Sequence, residues 1–257
     1  MLVMKFGGAS VQRAASFLQL AQMIVDRSVG HPHIIVVVSA MAHTTDQLVS
    51  LAKSVNPTPP DRELDMLLTV GERVSISLLA MALAKVGKSA VSFTGSQSGI
   101  ITNDHHSNAR IVEVRPRRIL EALDKGKIAI VAGFQGMSMK GEITTLGRGG
   151  SDTSAVALAV AVGAPRVEFY KDVPGVFERD PKVDPNAKFF PVLSFQEALH
   201  IVASGAKILA PRCIELAEKN GIELCIRSFL NPKGDGTVVG VSQKRLNCYE
   251  VPACSLN

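Results

Sequence analysis

Runs of consecutive apolar residues alternate along the chain with stretches in which apolar residues recur at helical spacing. The runs at 2–6 and 33–40 show no alternation of polar and apolar positions, so they predict buried strands. Further candidate strands lie at 89–95, 127–133, 166–173 and 222–228. The 3.6-residue spacing predicts helices at 10–27, 43–54, 61–86, 116–125, 151–162, 194–203 and 207–220.

This order of strand, helix and strand predicts an α/β fold with a mainly parallel sheet covered by helices. The segment 134–146, "FQGMSMKGEITTL", interrupts the order and predicts a β-hairpin because a polar, glycine-containing centre is flanked by apolar residues. The best candidate for a linker is "SVNPTPPDRE" at 54–63, but it is short and is interpreted as a loop between helices.

Composition and charge disfavour a nucleic-acid-binding, a membrane-spanning and a secreted protein. The chain has 257 residues, of which 46% are hydrophobic and 20% charged, as expected of a soluble globular protein. The net charge of +5 suits a small anionic substrate, and no run of Lys and Arg interleaved with aromatic residues suggests a nucleic-acid partner. We expect no membrane span, since no apolar stretch approaches about 20 residues. The start of the sequence shows no secretory signal, and the four cysteines form no CxxC pair, so a cytoplasmic location is expected.

The first predicted strand ends in "KFGGAS", at residues 5–10. Gly7 and Gly8 let the backbone approach a ligand, Ser10 can cap the following helix, and Lys5 adds a positive charge at the same place. This arrangement can bind a phosphate group, but it contains no Walker A motif, and a plain strand-to-helix turn is the alternative.

A second glycine cluster, "TTLGRGGSDTSA" at 144–155, precedes an Ala/Val-rich helix. Ser151 or Asp152 can cap that helix. Arg148 has nothing to pack on inside a glycine loop, which favours an external anion as its partner; a flexible loop before an ordinary capped helix is the alternative. Lys207, in "SGAKILAP", is predicted at a helix start, where a lysine is unfavourable unless an anion lies nearby.

Six segments in this order resemble the amino-acid kinase family and, within it, the aspartokinase branch. They are "KFGGAS", "VVSAM" followed by "TTD", "TVGERVS", "TTLGRGGSDTSA", "YKDVPGVFERDP" and "GAKILAP". The resemblance implies a three-layer αβα sandwich with a mainly parallel central sheet. It implies a catalytic domain over 1–241, with an N-terminal lobe for the amino acid and a C-terminal lobe for the nucleotide, and a short tail over 242–257.

The resemblance also implies an activity: ATP-dependent phosphorylation of the side-chain carboxylate of L-aspartate, giving 4-phospho-L-aspartate and ADP. This reaction is the first step towards lysine, threonine and methionine. The carboxylate is already ionised at pH 7, so no general base is required. Catalysis then depends on positioning and on charge neutralisation by lysine, backbone N–H groups and Mg²⁺. A homodimer is expected.

Site residues are implied by the same matches. The catalytic residues are Lys5 and Asp152, with Asp152 orienting the lysine, and the phosphate-binding residues are Gly7, Gly8 and Ser10. The implied substrate-binding residues are Ser39, Thr45, Glu72, Arg148, Gly149, Gly150 and Ser151. Among them, Glu72 would pair with the ammonium group of aspartate and Arg148 with a carboxylate. The implied nucleotide-binding residues are Tyr170, Lys171, Asp172, Val176, Arg179 and Lys207.

No residue is predicted as a metal ligand. His105 and His106 are adjacent, but no third ligand is in view, so we interpret them as part of a solvated loop.

Three positions depart from the usual aspartokinase pattern. Ala9 and Lys171 each replace a threonine, and Phe177 replaces a tyrosine; these changes bear on nucleotide affinity or preference. The sequence also stops about where paired regulatory ACT domains begin in aspartokinases. Three alternatives follow: the enzyme lacks feedback control, a separate regulatory chain supplies that control, or the sequence is a shortened piece.

Two other functions stay open at this point. One is a kinase of the same fold that acts on another small acid; the presence of both Glu72 and Arg148 favours an α-amino acid instead. The other is a non-catalytic module that binds a nucleotide or an amino acid, which the presence of Lys5 and Asp152 disfavours.

Overall fold

The computed structural model describes residues 1–179, 183–184, 186–206, 208–240 and 248–250. Its strands are β1 (Leu2–Phe6), β2 (Ile34–Val38), β3 (Ala90–Phe93), β4 (Ile100–Thr102), β5 (Ile111–Val114), β6 (Ile128–Ala132), β7 (Gln135–Ser138), β8 (Ile143–Thr145), β9 (Arg166–Lys171), β10 (Val176–Phe177), β11 (Phe189–Phe190), β12 (Val192–Leu193), β13 (Glu223–Ser228) and β14 (Thr237–Val239). Its α-helices are α1 (Ala14–Ser28), α2 (Thr44–Val55), α3 (Asp61–Leu68), α4 (Val70–Lys85), α5 (Arg117–Asp124), α6 (Gly150–Val162), α7 (Phe195–Ala203) and α8 (Pro211–Asn220).

An eight-stranded sheet runs through the centre in the order β12-β14-β13-β9-β1-β2-β6-β3. All neighbouring pairs in it are parallel except β13 with β14. The last residue of β1, Phe6, pairs with Val38 on one side and with Tyr170 on the other. The carboxyl ends of the three central strands therefore meet at one edge of the sheet, which is where ligands bind in open parallel sheets.

Helices cover both faces of this sheet. Helices α1 and α4 pack on one face, over side chains such as Met4 and Val36, and α5 to α8 pack on the other, over side chains such as Val3 and Ile35. Helix α6 is buried along nearly its whole length. The predicted three-layer αβα sandwich is confirmed.

A smaller four-stranded sheet, in the order β5-β4-β7-β8, lies beside the main one. Its β7 and β8 form an antiparallel hairpin, which confirms the prediction for 134–146. Gly141 lies in the hairpin turn with a φ of +84°, a conformation that favours glycine. Strands β4 and β5 were not predicted, because runs of three and four residues give too little periodicity to recognise.

Two helix starts differ from the prediction. The chain after β1 forms a short 3₁₀ turn at Gly8–Ser10, and α1 begins only at Ala14, with Arg13 as its N-cap. The hydroxyl group of Ser10 donates to the carbonyl oxygen of Gly7 at 2.6 Å, so the predicted capping role of Ser10 is wrong. The helix predicted from 207 begins at Pro211. Lys207 itself lies outside the described residues.

The long helix predicted over 61–86 is divided at Thr69 into α3 and α4. Its helical stretch Asp61–Lys85 is long and apolar enough to cross a membrane by length and composition alone. Half of the apolar window is buried inside the fold, as in a core helix, so the stretch is weak evidence for a span.

Candidate active site

A cleft of about 580 Å³ opens at the carboxyl edge of the central strands. Segments from distant parts of the chain line it, and ten of the predicted site residues are among the lining residues. These ten are Lys5, Gly8, Ser39, Thr45, Glu72, Arg148, Gly149, Gly150, Ser151 and Asp152. The structure therefore brings together both predicted catalytic residues and every predicted substrate-binding residue in one place; their roles stay predictions.

Lys5 and Asp152 form a buried ion pair at the base of this cleft. Lys5 is on β1 and Asp152 is in the first turn of α6. The lysine Nζ lies 2.6 Å from Asp152 Oδ1, and both side chains are at least nine-tenths buried. Burial alone would raise the pKa of Asp152, but the ammonium groups of Lys5 and Lys171 hold it below its ordinary value. Asp152 is therefore an ionised anchor for Lys5.

Glu72 presents a buried carboxylate that is only half satisfied. Its Oε1 accepts a hydrogen bond from the backbone N–H of Ala40 at 2.9 Å, and its Oε2 is buried with no hydrogen-bond partner. The side chain is brought there because Gly71 lets α4 approach closely: a Cβ at Gly71 would lie 2.8 Å from that of Ala40. Burial raises the pKa of Glu72 to about 7. Such a group is stabilised by a cationic ligand.

Arg148 lies on the glycine loop at the mouth of the cleft and is exposed. Among the described residues, no hydrogen-bond acceptor or carboxylate contacts its guanidinium group. The loop owes its shape to Gly147 and Gly149, which both have a φ of +74°. Gly149 is the N-cap of α6, so the predicted capping by Ser151 or Asp152 is wrong. Arg148 is left available for an anion in the cleft.

Of the three predicted phosphate-binding residues, Gly8 is the one that lines the cleft, and the phosphate-binding role stays a prediction. The backbone at Gly7 is so close to Lys5 that a Cβ added there would lie 3.5 Å from the lysine Nζ. Ser10 is buried, and its hydroxyl proton is already donated to Gly7. A phosphate at this turn would therefore meet glycine backbone and Lys5, not the Ser10 hydroxyl.

The predicted nucleotide-binding residues are not brought together in the same way. Tyr170 is completely buried, its ring stacks on Phe6 at 4.8 Å, and its hydroxyl donates to Glu168 at 2.8 Å. Val176 is also in the core. Neither side chain has open surface, so the prediction that they line a nucleotide site is wrong for their side chains, because both serve in packing.

The remaining members of that set have other positions. Asp172 follows β9 directly, and Arg179 is exposed, with its guanidinium 3.9 Å from a carboxylate oxygen of Asp184. Lys171 contacts Asp152: its Nζ lies 3.3 Å from Asp152 Oδ2. Lys207 is outside the described residues.

The sequence interpretation missed several residues in and near the cleft. Phe134 lines it with a φ of +69°, a conformation that is rare for a bulky residue. His106 was interpreted as part of a solvated loop, but its Nδ1 lies 2.8 Å from Asp65 Oδ2. The buried Asp65 also accepts from the backbone N–H groups of Ser107 and Thr145. This carboxylate ties the 103–110 loop to β8, a long-range contact with no local sequence signal.

Comparison with known proteins decides the family. The sequence profile of the amino acid kinase family matches residues 1–228. This chain belongs to the amino acid kinase family. A curated aspartokinase from Mycolicibacterium smegmatis is 49% identical to this amino acid kinase over 240 residues, which are 93% of this chain and 57% of the relative.

Solved structures agree with the family assignment. The aspartate kinase from Synechocystis superposes with a TM-score of 0.84 at 43% identity, covering 96% of this chain and 41% of that chain. Aspartokinase III from E. coli, solved in complex with aspartate and ADP, superposes with a TM-score of 0.83 at 27% identity, covering 95% of this chain and 65% of that one. This amino acid kinase spans less than three fifths of the length of the M. smegmatis relative.

Proposed function

We propose that this amino acid kinase transfers the γ-phosphoryl group of ATP to the side-chain carboxylate of L-aspartate, giving 4-phospho-L-aspartate and ADP. The proposal depends most on one observation: an acidic and a basic side chain line the same cleft, and each has a group without a partner among the described residues. Glu72 has a buried oxygen without a partner, and Arg148 has no partner among the described residues. The aspartokinase relatives, one of them solved with aspartate and ADP, support the same acceptor and nucleotide.

The two groups match the charges of an amino acid with an acidic side chain. The ammonium group of L-aspartate would bind Glu72 Oε2 and relieve the cost of its burial. Arg148 would bind a carboxylate, where its planar guanidinium can donate two parallel hydrogen bonds. Ser39, Thr45 and Ser151 line the same cleft and offer hydroxyl groups.

Lys5 would stabilise the charge that moves during transfer. An oxygen of the ionised side-chain carboxylate attacks the γ-phosphorus, the bond from that phosphorus to the β,γ-bridging oxygen breaks, and the electron pair leaves with ADP. The lysine ammonium keeps its proton and neutralises negative charge on the phosphoryl oxygens. Asp152 holds the ammonium in place, as the 2.6 Å contact supports.

Magnesium belongs to the proposal as the partner of ATP. The described residues contain no group of three or more His, Cys, Asp or Glu side chains that could hold a metal ion. Both oxygens of Asp152 are within ion-pair distance of lysines. These donors fit an ion that is held mainly by phosphate oxygens and water, as is common for Mg²⁺ in kinases. When bound, Mg²⁺ neutralises charge on the triphosphate.

We further propose that the enzyme is cytoplasmic and acts as a homodimer. For its regulation, control by a separate regulatory chain stays one of the three alternatives given above. The αβα architecture is what this chain shares with the solved aspartate kinases. Size-exclusion chromatography with light scattering on the full chain measures the oligomeric state directly.

A hydroxylamine-trapping assay tests the function. The 257-residue protein is incubated with ATP, Mg²⁺ and one acceptor at a time: L-aspartate, L-glutamate, succinate or β-alanine. We expect hydroxamate with L-aspartate, at a rate at least tenfold above that with any other acceptor. Product with a different acceptor only would favour the kinase of another small acid, and ATP binding without product would favour the non-catalytic module.

A further inference from the structure

One carboxylate that lines the cleft, that of Asp152, contacts two ammonium groups. Lys5 Nζ lies 2.6 Å from Asp152 Oδ1, and Lys171 Nζ lies 3.3 Å from Asp152 Oδ2. The exposed fractions of the three side chains are 6% for Lys5, 7% for Asp152 and 19% for Lys171. With both lysines protonated, this mostly buried cluster carries one net positive charge.

No second carboxylate of the described residues contacts this cluster directly, although that of Glu72 acts on Lys5 from beyond ion-pair distance. Among the described residues, Asp152 is the one carboxylate within ion-pair distance of either lysine Nζ. The neighbouring group from α8 is Cys213, and burial raises the pKa of its thiol well above the ordinary value, so it is neutral. Two like charges beside one carboxylate, largely out of water, are unfavourable unless an anion joins them.

The cluster is also placed where phosphates are expected. Lys171 is the last residue of β9, which runs parallel to β1 with Tyr170 opposite Phe6. Lys171 therefore stands beside the Gly7–Gly8 turn, at the carboxyl edge of the sheet. The polypeptide continues from Lys171 directly into Asp172, the next residue of the predicted nucleotide segment.

We propose that Lys171 is a second phosphate-binding cation. Asp152 positions its ammonium group, and this ammonium group donates hydrogen bonds to the terminal phosphates of a nucleoside triphosphate. The inference rests on the proposed use of ATP at this site. The additional charge would strengthen the preference of this chain for nucleotides with three phosphates over those with one.

A structural role makes the opposite prediction. If Lys171 only stabilises the fold through its ion pair, removing its charge weakens the ligand-free protein and affects all nucleotides equally. If it is a surplus cation for phosphate, removing its charge leaves the ligand-free protein as stable as before, or more stable, and weakens polyphosphate binding selectively.

The test uses titration calorimetry on the full chain with ATP and with AMP, each in excess Mg²⁺ and without acceptor. The variants are Lys171→Met, Lys171→Thr and Lys171→Arg, with the exposed Lys125→Met as a matched control for loss of one lysine. We expect Lys171→Met and Lys171→Thr to weaken ATP binding about tenfold or more, as for a lost charge-assisted hydrogen bond, with AMP binding changed less than twofold. Lys171→Arg should restore most of the ATP affinity, and Lys125→Met should change neither affinity.

Thermal unfolding of the ligand-free variants supplies the second readout. The proposal expects the Tm of Lys171→Met to equal or exceed that of the wild type. A fall in Tm or failure to fold, an equal loss for ATP and AMP, or unchanged ATP binding would each overturn it. A wild-type chain that binds no ATP would instead contradict the proposed function. If the wild type binds ATP tightly but does not phosphorylate L-aspartate, then L-aspartate is not the acceptor. The ATP and AMP affinities of the variants still decide the role of Lys171.

Discussion

Lys5 Nζ is 2.6 Å from Asp152 Oδ1, which joins the central strand β1 to the first turn of the buried helix α6. The pair fixes an ammonium group at the edge where the glycine turn, the glycine loop and Glu72 also meet. The proposed phosphoryl transfer requires this ammonium group to be both charged and immobile.

Replacing Lys5 with methionine tests this dependence. We expect kcat for ADP release with L-aspartate to fall by about 10²–10³-fold, because a fixed positive charge on the transferring phosphoryl group is lost. Circular dichroism should show an intact fold, and Lys125→Met should keep wild-type kcat. Near-normal turnover by Lys5→Met would contradict its catalytic role.

Arg148→Ala should act on binding of the acceptor. The guanidinium is exposed and has no partner among the described residues, so its loss should not unfold the protein. We expect the KM for L-aspartate to rise about tenfold to hundredfold, with a much smaller change in kcat. The exposed Arg117→Ala is the matched control. An unchanged KM in Arg148→Ala would count against the carboxylate contact.

The stability of the protein should depend on pH through Glu72. Burial raises its folded-state pKa from the ordinary 4.5 to about 7, so the folded protein binds this proton more tightly than the unfolded chain does. The contribution of Glu72 is therefore complete below pH 4.5 and is lost as the pH rises to about 7. Glu72→Gln should be more stable than the wild type at pH 8, by about 2–3 kcal/mol, and equally stable at pH 4.5.

Urea unfolding at the two pH values measures this difference. The contrary result is a difference in unfolding free energy between the wild type and Glu72→Gln that is the same at the two pH values. That result would show that the Glu72 carboxylate is not buried without a partner in the ligand-free protein.

Gly149→Ala should disturb the glycine loop more than its backbone angle alone predicts. Gly149 and Gly126 both have positive φ, at +74° and +67°, but a Cβ at Gly149 would lie 2.2 Å from that of Ala210, and one at Gly126 meets nothing within 4 Å. We expect Gly126→Ala to cost about 1–2 kcal/mol of unfolding free energy. Gly149→Ala should cost more and also raise the KM for L-aspartate. Equal costs for the two variants would contradict the close contact with Ala210.

The sequence predicted the parts of this protein that local pattern controls. Each segment predicted as a strand contains a strand of the main sheet, and β1, β2 and β6 are buried at every position, as expected of continuous apolar runs in a parallel sheet. The division at Thr69 was missed, since the apolar spacing continues from α3 into α4 and the nearby glycine, Gly71, lies inside α4 and not at the end of α3.

The site was predictable as a set of motifs but not as a set of contacts. The match to known motifs placed Tyr170 at the nucleotide, whereas its hydroxyl is bound by the buried Glu168, two residues earlier on the same strand. The contact between Lys171 and Asp152 depends on how β9 packs against α6, which residue spacing does not determine.

We propose that the free oxygen of Glu72 distinguishes an amino acid from other acids by binding its ammonium group. The ratio of kcat/KM for L-aspartate to that for succinate, which lacks the ammonium group, tests this in the wild type and in Glu72→Gln. We expect a wild-type ratio of about a hundred or more, falling at least tenfold in the variant as the charge-assisted contact is lost. The same ratio in both proteins would contradict it.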